Sequence, residues 1–360
     1  MNESAVVRLL YEGLPPIGDQ EPTAMPFLPE ALAASPLALP ETPCSNDASA
    51  WLLHEQNGVR WLERPAPELP APLYITGPAT STLDVARLLS DAELFPEWAS
   101  VLSLSQSAGR GQMRRLWSSP EGNLYSALRL PLVSPFAEAA APACGALFAE
   151  ALSRMGCPVM LKWPNDMLQA APSFRPGVTP GRHDCFKVGG MLMEERRGAL
   201  FAGTGFNLVS CPPSSTLRDN YAFSAGVLRD AEGFPLMSPP GTAKENRSKN
   251  KHIVTIFTLW IRLAASIFSC YSQKQTLEPW WPALAQRHLA FRGCRVTLAD
   301  ACPERETMVR IPCEGVVDGV TASGALRLST AYGTETFLGG SLLPGDGETE
   351  ADRQDAPSPE

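Results

Sequence analysis

The chain has few of the side chains that most metal and nucleophile chemistries require. Its four histidines, at 54, 183, 252 and 288, fall in no ligand-like spacing, and its nine cysteines are scattered without a C-x-x-C pair. This argues against a protein-held zinc or other metal site, and the odd cysteine count fits reduced thiols in a cytoplasmic protein better than a disulfide framework. There is no G-x-S-x-G elbow, so serine-triad hydrolysis has no visible nucleophile. Thirty Lys and Arg against 38 Asp and Glu leave a net charge of −8. A broad nucleic-acid surface needs clustered cations and is not expected. The longest apolar run, residues 253 to 271, carries Arg262 together with Thr and Ser, which points to a buried amphipathic helix and not a membrane span. The opening MNESAVVRLLYEG has no basic segment followed by a long apolar core, so no secretory signal is expected.

What is present is a chain of 360 residues, 44% hydrophobic and 19% charged, long enough for a large domain with a smaller companion. Residues 1–72 hold 12 of the 35 prolines. Such density breaks long helices and predicts a loosely ordered, proline-rich extension with one strand-like piece, WLLHEQNGVRWLE. From residue 73 to 290, strand-like and helix-like units alternate. TSTLDVARLLSDAEL offers Ser81 or Thr82 as a helix N-cap, with Asp84 in the first turn. Residues 123–132 and 159–163 read as strands around an alanine-rich helix, and KVGGMLMEE with ALFAGTGFNLV reads as a hairpin turning at Arg196, Arg197 and Gly198. Short β-like runs over 291–344, punctuated by Gly and Ala, predict a small barrel. KENRSKNKH, residues 244 to 252, reads as a solvated loop, and the acidic residues 345–360 as a disordered tail. The fold class is therefore α+β: a mixed sheet flanked by helices, plus a C-terminal β-barrel.

Four segments combine glycine, which admits close backbone approach, with a fixed charge. The first is QSAGRGQM, where Gly109 and Gly111 can expose N–H groups beside the Arg110 guanidinium. The others are Lys162-Trp163-Pro164-Asn165-Asp166, then Lys187 with Gly189 and Gly190, then Gly203-Thr-Gly205-Phe-Asn207. The first is not a dinucleotide fingerprint, because Arg114 stands where a third glycine would be and the loop leads into a strand instead of a helix. Singly, each segment could equally be a turn, a cap or a bulge.

Together and in this order they resemble the biotin protein ligases, whose G-R-G-x loop, W-x-S-P-x-G-N-L-Y, K-W-P-N-D, K-x-x-G-I-L-x-E and G-x-G-x-N motifs appear here as GRGQMRRLWSSPEGNLY, KWPND, KVGGMLMEE and GTGFN. The resemblance spans residues 74 to 344. It implies a catalytic sheet similar to that of class II aminoacyl-tRNA synthetases, an SH3-like C-terminal barrel, and a two-step reaction. Biotin is activated by ATP, with Mg²⁺, to biotinyl-AMP; a lysine of a biotin carboxyl carrier protein of a carboxylase then takes the biotinyl group. By position, the resemblance assigns Ser81, Thr82 and Leu83 to the biotin ureido region, and Gln106, Gly109, Arg110, Gly111 and Gln112 to a loop over biotin and the adenylate. Lys187 would bridge carboxylate and α-phosphate, and Asp166 would orient the acceptor amine or help to hold the metal. Lys162, Asn165, Gly189, Gly190 and Asn207 complete the binding set, with Trp117 and Trp163 as pocket walls. The segment after Asn207, SCPPSSTLRDNYAFSAG, would cover adenine.

The departures from the family pattern are Leu83 for a polar residue, Gln112 for a second arginine, and Arg114 for a glycine. The rival readings are a lipoate or octanoate ligase or acyl transferase of the same fold, and a biotin-sensing repressor or non-catalytic biotin-binding protein. The first is disfavoured because K-W-P-N-D occurs together with a terminal barrel. Against the second, residues 1–72 hold only Arg8, Arg60 and Arg64 as cations, too few for a groove-reading helix. No DNA and no membrane partner is expected, and homodimer formation is left open.

Overall fold

The computed structural model describes residues 5–17, 21–33, 35–37, 51–171, 181–213, 223–237, 255–273, 280–303 and 312–344. The expected tail over 345–360, the basic stretch 244–252 and residues 214–222 of the expected adenine-covering segment lie outside them.

The N-terminal residues build a large part of the main sheet. Val6–Leu10 (β1) has no proline, and Val7, Leu9 and Leu10 are buried. Leu14–Pro16 (β2) and Pro22–Ala24 (β3) form a small separate pair, followed by one helical turn, Pro29–Ala33 (α1). Leu52–Gln56 (β4) and Val59–Pro65 (β5) form a hairpin whose turn, Asn57-Gly58, has positive φ at both residues, as a two-residue hairpin turn requires. β1 lies antiparallel to β5 and parallel to Leu73–Thr76 (β6). This corrects the expectation of a loosely ordered extension. The prolines fall in connections and at strand ends, where they stop helices without interrupting a ladder.

Beyond β6 come Thr82–Asp91 (α2), Ser100–Ser103 (β7), Leu124–Leu130 (β8) and Phe136–Arg154 (α3). Then follow Met160–Lys162 (β9), Asp166–Ala170 (β10), Cys185–Arg196 (β11), Ala199–Phe206 (β12), Ile256–Ser272 (α4) and Trp281–His288 (α5). The sheet has ten strands in the order β4-β5-β1-β6-β7-β8-β12-β11-β10-β9. Alternation along β12 separates its two faces. Gly203 and Gly205 lie under Leu83 of α2 and under Trp117, whereas Phe206 stacks on Phe148 of α3, which in turn meets Trp260 of α4. α2 thus covers one face of the sheet, and α3 with α4 covers the other.

Arg295–Pro303 (β13), Cys313–Val320 (β14), Leu326–Thr330 (β15) and Gly333–Pro344 (β16) close into a four-stranded barrel, as expected. Two polar links tie it and its preceding helix to the main sheet. The Trp163 indole N–H donates to the Gly324 carbonyl at 2.9 Å. On α3, Glu150 meets His288 at 2.8 Å, Arg154 at 2.8 Å and Arg287 at 3.6 Å. Burial pushes the Glu150 carboxyl up, but His288 and Arg154 outweigh it and hold the group down at about 2. Cys144, Cys157, Cys185, Cys211, Cys270, Cys294 and Cys313 are free thiols, and no described helix is long and apolar enough to cross a membrane.

Candidate active site

The first half of the site forms where α2 begins. Ser81 is its N-cap, its hydroxyl accepting from the Leu83 N–H at 3.2 Å, which satisfies one of the free donors of the first turn. The Gln106 side-chain oxygen accepts from the Thr82 N–H at 2.9 Å and from its hydroxyl at 3.3 Å. The other end of the same amide donates to the Ser119 hydroxyl at 2.8 Å. Ser81, Thr82, Gln106 and Ser119 therefore form one polar cluster. Leu83 points away from it and packs, buried, over Gly203.

The loop from Gly109 to Trp117 doubles back on itself. Gly111 N–H donates to Arg115 O at 2.8 Å, and Trp117 N–H to Gly109 O at 2.9 Å. A Cβ at residue 109 would lie 2.5 Å from Trp117 O and 2.6 Å from the Ser119 hydroxyl oxygen, so only glycine fits there. At the tip, Gln112 is exposed, and Met113 and Leu116 expose 73% and 88% of their surface. Two neighbouring apolar side chains on a loop tip form a surface that a ligand or partner can cover. The Arg110 guanidinium is bidentate on Asp84, at 2.7 and 3.3 Å. Asp84 also pairs with Arg87 and accepts from the Thr80 hydroxyl at 2.9 Å. Arg110 is thus anchored to α2, and the sequence signal for its partner was only that of a first-turn acid.

The second half of the site lies where β9, β10 and β11 meet. K-W-P-N-D is a tight turn containing a cis Trp163–Pro164 bond, and it sets Lys162 opposite Asp166. The Lys187 ammonium is 2.5 Å from one Asp166 oxygen, and the Lys162 ammonium is 3.6 Å from the other. Burial pushes the Asp166 carboxyl up, but Lys187 and then Lys162 more than compensate and keep it below the usual range. The Lys162 ammonium is pushed below its usual value by burial, against the pull of Asp166. Two cations share one carboxylate, so the cluster retains an unmatched positive charge.

Trp117 joins the halves. Its ring lies 5.3 Å from the Lys187 ammonium, its chain is tied to Gly109, and its indole N–H is buried without a hydrogen-bond partner. The floor under Trp117 is glycine because bulk is excluded: a Cβ at Gly205 would sit 2.7 Å from the Trp117 indole nitrogen, while on the opposite face a Cβ at Gly189 would sit 2.4 Å from the Phe206 ring. Gly190 lies beside Asp166, and Asn165 holds the turn in place by donating to Met191 O at 2.7 Å. Lys187 is backed by residues 224–226, donating its N–H to Ser224 O at 2.8 Å, and Asn207 donates to Gly226 O at 3.1 Å.

Trp163, expected as a pocket wall, is instead buried against the barrel loop. Asn123, Ser119 and Asp84 were given no role from the sequence. The Asn123 side-chain oxygen takes the N–H groups of Leu208, Val209 and Ser210 at 2.8, 3.0 and 3.2 Å, fixing the strand exit beside Asn207. Its place in the E-G-N-L-Y run was the available signal. No cluster of three or more His, Cys, Asp or Glu suited to a metal occurs among the described residues, and both Asp166 oxygens are engaged by lysines.

Residues 82–206 match the model of the biotin/lipoate A/B protein ligase family. A solved structure of Aquifex aeolicus biotin protein ligase in complex with biotin and ATP aligns at 19% identity over 75% of this chain and 97% of that one, with a TM-score of 0.50. The Leishmania major biotin protein ligase in complex with biotinyl-5-AMP aligns at 20% identity over 74% and 98%, with a TM-score of 0.42. A biotin protein ligase-like protein of unknown function from Silicibacter sp. aligns at 18% identity over 78% and 95%, with a TM-score of 0.43. The likeness to the Aquifex structure shows the fold.

Proposed function

We propose that the chain, whose residues 82–206 match the model of the biotin/lipoate A/B protein ligase family, activates biotin with ATP and transfers it to a lysine of a carrier domain. The observation that carries this reading is the Lys187–Asp166–Lys162 cluster, which faces the Gly109–Trp117 loop across the Trp117 ring. Joining a carboxylate to a triphosphate brings two anions together, and preorganised cations and N–H donors lower that barrier. In the first step a biotin carboxylate oxygen attacks the α-phosphorus of ATP, the bond to the β-phosphate oxygen breaks, and pyrophosphate leaves. Lys187, half-buried and beside Trp117, is positioned to stabilise the charge that builds between carboxylate and phosphate. Any Mg²⁺ would enter with ATP, held by its phosphate oxygens.

In the second step the neutral amine of the acceptor lysine attacks the biotinyl carbonyl, AMP departs with the bonding electrons of the C–O bond, and the nitrogen gives up a proton to solvent. Asp166, still ionised at neutral pH, is suited to orient that amine. The carrier of a biotin-dependent carboxylase is the acceptor that this chemistry fits. The indole N–H of Trp117, buried over Gly205, is a further donor without a partner among the described residues.

Biotin is favoured over lipoate by the polar cluster of Ser81, Thr82, Gln106 and Ser119. A ureido ring can both donate to and accept from such groups, whereas a dithiolane can do neither. The test is ATP–pyrophosphate exchange with biotin, lipoate and octanoate supplied in turn. Exchange stimulated by biotin alone is expected; exchange with lipoate or octanoate but not biotin would overturn the assignment.

A further inference from the structure

A cavity of about 420 Å³ lies away from the site described above, lined by Arg87 of α2, Arg129 of β8, Arg196 and Arg197 of the β11–β12 turn, and the rings of Phe95 and Phe201. Asp91 and Glu93 also line it, so four guanidinium groups face two carboxylates. Asp91 is shared by Arg196 and Arg197 at 3.2 and 2.8 Å. Arg87 is paired with Asp84 and with Glu194, the latter at 2.8 Å. Arg129 donates to the Phe95 carbonyl and pairs with no carboxylate among the described residues. The Nε atoms of Arg87 and Arg129 are both buried and without a hydrogen-bond partner among the described residues.

A guanidinium that lines a cavity and meets no carboxylate, as that of Arg129 does among the described residues, is matched by an oxyanion, which accepts from several N–H groups at once. The donors come from three elements and therefore approach from different directions. A tetrahedral phosphate presents oxygens in all of them, whereas a planar carboxylate serves one fork. The cavity is larger than a phosphate group alone, and its aromatic floor leaves room for a second phosphate or a small organic portion.

We infer that this cavity is a binding site for a small phosphate-bearing anion, held by Arg129, Arg87 and Arg196. It shares no lining residue with the residues assigned to biotin and ATP, and the inference does not rest on the ligase reading. The test is isothermal titration of the full chain, without Mg²⁺, with inorganic phosphate and separately with inorganic pyrophosphate. Saturable binding of at least one is expected, weakened roughly tenfold or more by Arg129→Gln and unchanged within about twofold in Lys187→Ala, whose lysine lies outside the cavity. Absence of binding up to about 10 mM, or binding that Arg129→Gln leaves intact, or binding that Lys187→Ala abolishes, would each overturn it. Should Arg129→Gln fail to fold by circular dichroism, Arg196→Gln decides the matter, with the same loss expected and an unchanged affinity counting against the site.

Discussion

Replacing Asp166 by Asn removes the shared partner of two lysines while preserving side-chain volume. Lys187 keeps 30% of its side-chain surface exposed and can recover hydration, but Lys162 keeps only 8%. Breaking a buried pair by deleting one partner leaves an uncompensated charge, at a cost of about 3–5 kcal/mol. The 3.6 Å separation and the 19% exposure of Asp166 favour the lower end of that range. The Lys162 pKa in the folded protein lies below its ordinary 10.5, so between the two values the unfolded chain binds more protons and stability rises with pH. Asp166 is the main group holding that pKa up, so its removal lowers it further and widens the window. The deficit of Asp166→Asn should therefore be largest at and below neutral pH and should shrink as alkali neutralises Lys162. Urea unfolding at pH 6, 7.5 and 9 measures it directly. A variant within about 0.5 kcal/mol of the parent at all three values would show that the cluster does not operate as described.

The other predictions are more local. Lys187→Ala should slow adenylate formation by about 10²–10³-fold, the scale of losing one preorganised charge donor, as read from single-turnover rates; a wild-type rate would remove it from the chemistry. Gly109→Ala should reduce the same rate and also lower the melting temperature, since the added methyl meets the Trp117 carbonyl and the buried Ser119 hydroxyl. Trp163→Phe deletes the bond to the Gly324 carbonyl and should destabilise the protein by about 1–3 kcal/mol, measured by chemical unfolding. The Glu150 carboxyl contributes stability above its ordinary 4.5 that is lost as pH falls toward about 2. Glu150→Gln should therefore be less stable than the parent at pH 7 and converge with it near pH 2.

Much of the fold was legible because its signals are local. The β11–β12 hairpin announced itself by two apolar strands around Arg197-Gly198, α2 by its Ser81 cap, and the barrel by its spaced short strands. The N-terminal strands were hidden by their surroundings. Proline density around VVRLL masked a strand whose partners, β5 and β6, lie more than fifty residues away, and Asn57-Gly58 was a hairpin signal set among helix breakers. In the candidate site, the charged and glycine positions could be read from spacing, since Lys162, Asp166, Lys187 and Gly109 stand in short motifs. What could not be read was pairing across the fold. Asp84 on Arg110 and Gly324 on Trp163 are separated by 26 and 161 residues and depend on how α2 and the barrel dock.

The central claim is that this site adenylates biotin. It is tested most directly by incubating the full chain with ATP, Mg²⁺ and an equimolar mixture of biotin and lipoate, then identifying the adenylates by mass spectrometry after acid quenching. Biotinyl-AMP as the dominant product, lost in Lys187→Ala, is the predicted result. Lipoyl-AMP in its place, or no adenylate of either acid, would contradict the account.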